Sequence, residues 1–140
     1  MLLQRINDYE QIYGAFDELK ENFFNFNGDL KEFSSKVYKH GVCFVARTDK
    51  IAGLIAFYAN DYISKKAFIT SILVSETERG KGIGTKLIKC AEEICEIEGF
   101  KKVCLEVNAD NVIAIDFYKR LGYTQFKSVG ESVFMEKPLN

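Results

Sequence analysis

The sequence predicts a protein of the α/β (α+β) class, in which helices flank a mixed β-sheet. Before residue 40 the apolar residues recur at helical spacing, whereas β-branched and aromatic runs dominate after it. A strand, a glycine cluster, a long helix and a second strand follow one another between residues 67 and 107. A strand–helix–strand unit of this kind requires a parallel strand pair joined by a right-handed crossover. Hairpin signals on either side of the unit predict that the rest of the sheet is mostly antiparallel.

The first half of the chain predicts a short opening strand, two helices and three strands. One apolar helical face indicates the first helix, and its residues are Tyr9, Ile12, Tyr13, Phe16 and Leu19. A second helix follows Gly28, with an apolar side made by Leu30, Phe33 and Val37. The strands are predicted at Val42–Arg47, Ile51–Tyr58 and Ala67–Val74.

The second half predicts a helix, a strand, another helix and a closing hairpin. Residues 83–95 carry an apolar stripe at helical spacing, and Gly99 ends that helix. The remaining elements are predicted as a strand at Val103–Val107, a helix at Asn111–Leu121, and hairpin strands at Tyr123–Val129 and Ser132–Glu136.

Size and charge exclude several classes of protein. With 140 residues, 47% of them apolar, the chain fits one domain over residues 1–140 that buries its own core. Its 19 Lys and Arg against 20 Asp and Glu lack the basic excess of a nucleic-acid-binding protein. The first ten residues carry charges where a signal peptide needs an apolar run, and no apolar run is long enough to span a membrane. We therefore expect a cytoplasmic protein with neither a membrane nor a nucleic-acid partner.

The cysteines predict neither a metal site nor a disulfide framework. They lie at positions 43, 90, 95 and 104, and no two form a C-x-x-C pair. His40, the single histidine, is remote from them in sequence. We expect free thiols and no metal.

A glycine cluster lies between the predicted strand Ala67–Val74 and the long helix. In residues 74–86, VSETERGKGIGTK, the alternating Gly80, Gly82 and Gly84 let the backbone turn its N–H groups outward at a helix N-terminus. Arg79 and Lys81 add positive charge. The cluster therefore predicts a cradle for a phosphate or pyrophosphate. The dinucleotide and P-loop fingerprints both fail to match, and a simple connecting turn is the alternative.

Two motifs give the chain its resemblance to a known family. Residues 79–84, RGKGIG, match the R/Q-x-x-G-x-G/A signature of the GNAT N-acetyltransferase superfamily. Residues 105–123 resemble the second signature of that family, N-x-x-A-x-x-x-Y-x-x-x-G-[FY], whose positions are Asn111, Ala114, Tyr118, Gly122 and Tyr123. The chain is similar to the family over residues 40–137.

The resemblance implies the GNAT fold, in which the parallel strands on either side of the long helix splay apart around acetyl-CoA. The pantetheine arm would bond backbone groups near Leu73 and Val74, and the loop amides would hold the pyrophosphate. The implied cofactor-binding residues are Leu73, Val74, Arg79, Gly80, Lys81, Gly82, Ile83, Gly84, Thr85, Asn111, Phe117 and Tyr118. The resemblance implies no metal.

Acetyl transfer to an amine needs a proton acceptor, an oxyanion donor and an acid for the leaving thiolate. At pH 7.4 an alkylamine is only about 0.1% neutral, so its proton must be removed. A backbone N–H near Val74 is a candidate oxyanion donor. Spacing alone favours Tyr118 as a core aromatic residue beside Phe117 and Leu121, but its match to the family position makes it the candidate acid.

The sequence identifies the general base less clearly than the acid, because strand 67–74 carries no acidic residue where many relatives have a glutamate. Glu106 is the candidate, on the opposite strand face from its apolar neighbours and twelve residues before Tyr118, a spacing similar to that of ribosomal-protein N-terminal acetyltransferases. A solvated carboxylate or a water relay is the alternative. His40 is a weaker candidate for touching the acceptor. The aromatic run at 23–27 is too dense for one helical face. Because this region borders the acceptor pocket in the family, the resemblance implies an apolar or aromatic acceptor site.

Together these features predict an N-acetyltransferase that moves the acetyl group of acetyl-CoA to a primary amine of a small molecule or a peptide N-terminus. Transfer is expected by direct attack through a tetrahedral intermediate. The alternative is an acyl-CoA-binding sensor of the same fold without catalysis. Because dimers are common among relatives, a homodimer is a further expectation. The acceptor itself is not predicted.

Overall fold

The computed structural model describes residues 1–140 and has the predicted order of elements. The strands are β1 (Leu2–Ile6), β2 (Val42–Arg47), β3 (Ile51–Asp61), β4 (Lys66–Val74), β5 (Lys102–Asn108), β6 (Thr124–Val129) and β7 (Ser132–Pro138). The helices are α1 (Tyr9–Leu19), α2 (Leu30–His40), α3 (Ile83–Ile97) and α4 (Val112–Arg120). Short 3₁₀ turns occupy Lys20–Asn22 and Glu76–Glu78. None of the four helices combines the length and the hydrophobicity of a membrane span.

The seven strands form one mixed sheet in the order β1-β2-β3-β4-β5-β7-β6. Every neighbouring pair is antiparallel except β4 and β5, which are parallel and joined through α3. The prediction of a mostly antiparallel sheet with one parallel pair is confirmed. Strand β3 runs to Asp61, beyond the predicted end at Tyr58, because Asp61 still pairs with Lys66 of β4.

Strands β4 and β5 separate from each other after a short paired segment. Their register begins with Lys66 opposite Lys102 and ends with Ile69 opposite Leu105. Residues 70–74 of β4 do not pair with residues 106–108 of β5. Over these residues β4 stays paired with β3, and β5 stays paired with β7. The splayed strand pair that the family resemblance implied is therefore present.

A β-bulge at Thr70 changes which face of the sheet β4 presents. Ala56 of β3 pairs with Ser71, but the next residue, Phe57, pairs with Ile69, so Thr70 has no partner. An unpaired residue reverses the alternation of side chains along the strand. Ile69 accordingly packs in the core beneath α3, whereas Leu73 packs in the core beneath α1 and α2. Ser71, opposite Ala56, faces the α1/α2 side.

Three of the four helices begin at a side-chain cap. Asp8 accepts from the N–H of Glu10, Asp29 from two N–H groups of α2, and Asn111 from Ala114 at 3.2 Å. Asn111 is thus the cap of α4 rather than its first residue. Helix α3 is the exception, since its N-cap is Gly82, which has no side chain.

Candidate functional site

The gap between the splayed strands opens into a cavity of about 870 Å³. Its walls come from residues 69–74 of β4, residues 105–108 of β5, the loop and first turn of α3, and helix α4. Glu21 to Phe24, beyond the end of α1, close one side. Eleven of the twelve predicted cofactor-binding residues line this cavity, the exception being Lys81, and Glu106 lines it too. Gly122 and Tyr123 of the second motif do not line it.

The loop before α3 presents a run of unpaired backbone donors. The N–H groups of the six residues 80–85 donate to no acceptor in the chain, and the first bond of α3 runs from the Lys86 N–H to the Gly82 carbonyl at 3.1 Å. Gly80 and Gly82 adopt φ angles of +81° and +79°, which side-chain-bearing residues rarely take. Free N–H groups at a helix N-terminus bind anions. The cradle predicted from the glycine spacing therefore has the geometry of an anion site.

Basic side chains border this cradle. Arg79 donates from Nη2 to Asn22 Oδ1 at 2.9 Å and from Nε to the Val74 carbonyl at 3.4 Å, which ties the loop to the end of α1. Lys81 Nζ pairs with Glu78 Oε2 at 2.9 Å, so its charge is partly compensated. Arg120 also lines the cavity and was not predicted. Its position three residues after Phe117, on the same face of α4, is the signal that could have found it.

Of the predicted pair Leu73 and Val74, the backbone of Val74 faces the gap. The Ser75 N–H donates to the carbonyl of Ala52 in β3 at 2.8 Å, which extends the hydrogen-bond ladder between β3 and β4 by one residue. Because successive residues of a strand direct their N–H and C=O groups to opposite sides, Val74 directs its own toward β5. The contact from Arg79 to the Val74 carbonyl agrees with this orientation. The backbone of Leu73 faces β3 instead, while Leu73 itself lines the cavity, and its predicted part in cofactor binding stays a prediction.

Gly84 joins the two sequence motifs. A Cβ atom at this position would lie 3.2 Å from Cζ of Phe117, so the absence of a side chain lets α4 approach the first turn of α3. Gly84 does not have a positive φ, unlike Gly80 and Gly82. Its role is close helix packing, while the other two glycines shape the loop.

Tyr118 is both a core residue and a wall of the cavity. It is 7% exposed, and its ring packs 5.4 Å from that of Phe117 and 5.9 Å from that of Tyr123. Its hydroxyl forms no hydrogen bond within the chain. Burial raises the pKa of the phenol above its ordinary value of 10, so the hydroxyl stays protonated. A protonated, unpaired hydroxyl in this cavity is available to donate to a bound group.

Glu106 projects from β5 at the point where the strands separate. It is exposed while Leu105 and Val107 on either side are buried, as the alternation predicted. Its carboxylate accepts a hydrogen bond from Ser132 Oγ at 2.5 Å. His40, in contrast, is exposed at the end of α2 and lines neither of the two cavities of the site.

A second cavity of about 510 Å³ adjoins the first on the α1/α2 side. Residues 23–28 form one wall, residues 68–71 of β4 another, and Glu106, Asn108 and Ser132 the third. Ser71 lines both cavities and is 7% exposed, and its hydroxyl has no hydrogen-bond partner. The sequence did not predict Ser71, although a serine within the apolar run AFITSILV is the available signal.

The cysteine side chains lie outside the two cavities. The four cysteines are free, and burial raises the pKa of Cys43 to about 12 and that of Cys95 to about 11. No three His, Cys, Asp or Glu side chains are grouped closely enough to hold a metal ion.

Comparisons with known proteins agree with this geometry. A family model described as the acetyltransferase (GNAT) family matches residues 6–123. N-alpha-acetyltransferase 30 of Schizosaccharomyces pombe is 32% identical over 62 residues, which cover 44% of this chain and 41% of that protein. The matched region spans less than half the length of each of the curated relatives compared.

Two solved structures share the fold over nearly the whole chain. The PaiA N-acetyltransferase of Thermoplasma acidophilum, in complex with coenzyme A, has a TM-score of 0.78 at 19% identity and covers 99% of both chains. The ribosomal-protein-S18-alanine N-acetyltransferase of Escherichia coli has a TM-score of 0.80 at 19% identity, covering 99% of this chain and 95% of that one.

Proposed function

The chain belongs to the acetyltransferase (GNAT) family, and we propose that it transfers the acetyl group of acetyl-CoA to a primary amine. The observation that carries the proposal is the run of six free N–H groups, residues 80–85, at the open end of a splayed strand pair. A pyrophosphate satisfies such donors, and the gap beyond them accepts an extended arm. The CoA complex of the Thermoplasma relative supports this assignment.

The residues of the cradle fit coenzyme A in shape and charge. The N–H groups of residues 80–85 and the positive end of α3 would hold the pyrophosphate, with Arg79 and Lys81 nearby. The Val74 N–H and C=O, which face the gap, would bond the pantetheine amides. Phe117 and Asn111 would border the arm on the α4 side.

The chemical step joins the amine nitrogen to the thioester carbon. As the C–N bond forms, negative charge develops on the carbonyl oxygen, and a backbone N–H in the region of Val74 stabilises it. The C–S bond then breaks, and the sulfur leaves as a thiolate. Glu106, directly or through water, receives the proton that the amine nitrogen loses.

Tyr118 is proposed as the donor to the departing sulfur. A thiol has a pKa of about 8.5 and a phenol about 10, so full transfer from tyrosine to thiolate is uphill, and burial makes it more so. A hydrogen bond that strengthens as charge collects on sulfur stabilises the transition state without that cost. The proton lost by the amine then reaches the thiolate as the site opens.

The alternative is a protein that binds acyl-CoA without catalysis. The observation that favours it is the absence of any carboxylate on β4, where residues 66–74 read KAFITSILV. The two functions are distinguished by following free CoA thiol after mixing acetyl-CoA with and without a panel of amines. We expect release that depends on the amine. Tight CoA binding by calorimetry with no amine-dependent release would favour the sensor.

A further inference from the structure

The second cavity, which adjoins Glu106, has an aromatic wall that is built before any ligand arrives. Phe23 and Phe26 lie 4.6 Å apart between ring centroids, and Phe33 lies 6.1 Å and 5.6 Å from them. Asn25 takes a φ of +55°, which turns the chain between these two loop phenylalanines. These contacts fix the rings against one another, so an apolar group can bind with little ordering cost.

Gly28 lets the ring of Phe26 lie directly against the backbone of the same loop. A Cβ atom at Gly28 would lie 2.9 Å from Cζ of Phe26, so the ring rests on bare backbone. Phe24, beside it, lines the cavity and remains 48% exposed. A half-exposed phenylalanine on a cavity wall is apolar area that a ligand can cover.

Only one charged side chain lines this cavity. Glu106 is the single acidic residue in its walls, and no lysine, arginine or histidine is among them. The other polar lining groups are neutral, namely Asn25, Asn27, Thr70, Ser71, Asn108 and Ser132. An ammonium group is attracted here, whereas a carboxylate would lose hydration without a cation to replace it. A second ammonium would find no second carboxylate in these walls to pair with.

Ser71 marks where the two cavities meet. Its hydroxyl is buried and has no partner, which is uncommon for a polar group in a protein interior. The bulge at Thr70 turns it toward the α1/α2 side, where the aromatic wall stands. A ligand nitrogen between Glu106 and Ser71 would satisfy this hydroxyl and lie at the border of the cavity assigned to acetyl-CoA.

We propose that the acceptor is a primary amine that carries an aromatic or large apolar group close to its nitrogen and no free carboxylate beside it. This inference rests on the proposed acetyl transfer. A volume of about 510 Å³ suits one such group. A free arylalkylamine has this chemistry, and so does the first residue of a peptide, whose carboxyl group is tied up in an amide.

The test compares kcat/KM for a matched set of acceptors at fixed acetyl-CoA. Phenylalaninamide should exceed alaninamide by at least about tenfold, because only the former covers the aromatic wall. It should exceed phenylalanine, which differs by a carboxylate, by at least about tenfold. Phenethylamine and a peptide that begins with phenylalanine distinguish the two sources of the acceptor, and preference for either supports the proposal.

Two half-exposed phenylalanines provide the matched variants. Phe24→Ala should reduce the ratio of kcat/KM for phenylalaninamide over alaninamide several-fold. Phe126→Ala, on β6 and 47% exposed outside both cavities, should leave that ratio unchanged. Equal use of phenylalanine and phenylalaninamide, or a preference for spermidine or alaninamide, would overturn this inference while leaving acetyl transfer intact. Absence of acetylation with every amine would instead contradict the proposed function.

Discussion

Gly84 at the start of α3 lies against the ring of Phe117 in α4, so closely that a methyl group on Gly84 would be 3.2 Å from Cζ of that ring. The contact links the glycine loop with the second motif of the chain. Because Phe117 borders the cavity, any group added at position 84 moves a wall of the proposed acetyl-CoA site.

Gly84→Ala should weaken acetyl-CoA binding while leaving the protein folded. Overpacking of this kind costs about 1–3 kcal/mol, and the ring can relieve it by moving a few tenths of an ångström into the cavity. We expect the Kd for CoA, measured by calorimetry, to rise about fivefold or more. Gly14→Ala, in open space within α1, is the control and should slightly stabilise the protein without changing Kd. A Gly84→Ala protein with wild-type affinity would show that this contact does not shape the site.

Gly82→Val should have a larger effect for a different reason. Gly82 has a φ of +79°, which a β-branched residue adopts only at a cost, so the loop N–H groups would turn away from their common target. We expect CoA affinity to fall at least about tenfold, or about 1.4 kcal/mol. Gly99→Val imposes similar strain at the other end of α3, where φ is +86°, and should leave CoA affinity unchanged. Unaltered binding in the Gly82 variant would refute the loop assignment.

Tyr118→Phe should reduce kcat about 10²–10³-fold with little change in KM for acetyl-CoA, as expected for the loss of one hydrogen bond made chiefly in the transition state. Since the hydroxyl has no partner in the chain, thermal stability should remain close to that of the wild type. Full kcat in this variant, under conditions where chemistry limits the rate, would remove Tyr118 from the mechanism.

The raised pKa of Tyr118 also predicts a pH dependence. The native phenol stays neutral where an exposed tyrosine, with a pKa near 10, would ionise. Wild-type kcat should therefore show no alkaline loss up to about pH 10. The stability contribution of this shift is present below pH 10 and is lost as pH rises beyond it, because only the unfolded chain releases the proton. An alkaline fall in kcat well below pH 10 that is absent from Tyr118→Phe would contradict the shift.

Glu106→Gln should show a rate deficit that depends on pH. If the carboxylate collects the proton of an alkylamine acceptor, the deficit shrinks as pH rises from about 7 toward the pKa of that amine near 10.4, because less acceptor then needs deprotonation. With an α-amino group, whose pKa is about 7.7–8.0, the deficit should disappear at a lower pH. The Tyr118→Phe deficit should not shrink in this way. Ser132→Ala, which removes the hydroxyl bonded to Glu106, is the milder control. A Glu106→Gln enzyme with wild-type activity at every pH would leave proton removal to water.

Much of the architecture follows from local chemistry in the sequence. The caps Asp8, Asp29 and Asn111 precede helical apolar periods, and Gly41 and Gly122 follow α2 and α4, so the order of elements could be predicted closely. The anion cradle could also be predicted, because glycines at alternate positions before a helix let the backbone turn its N–H groups outward at the helix N-terminus. These features depend on residues that are neighbours in the chain.

The rest depends on pairing between distant segments. The bulge at Thr70 arises from the register between β3 and β4, and a mostly apolar run such as AFITSILV does not reveal which residue is skipped. As a result, Ser71 could not be assigned to the side of the sheet where we propose that the acceptor binds. Nor could the sequence tell which backbone, that of Val74 or that of Leu73, faces the gap. The same holds for Gly84, whose contact with Phe117 joins residues of separate helices.

The most direct test of the account is a single-turnover experiment followed by mass spectrometry of the protein and of the small molecules. The enzyme is first mixed with acetyl-CoA alone, and then with phenylalaninamide. Direct attack predicts an unchanged protein mass before the amine is added, consistent with cysteine thiols whose raised pKa values keep them protonated. Free CoA and N-acetylphenylalaninamide should then appear in equal amounts. An acetylated protein that forms first and loses its acetyl group when the amine arrives, or no amide at all, would contradict the account.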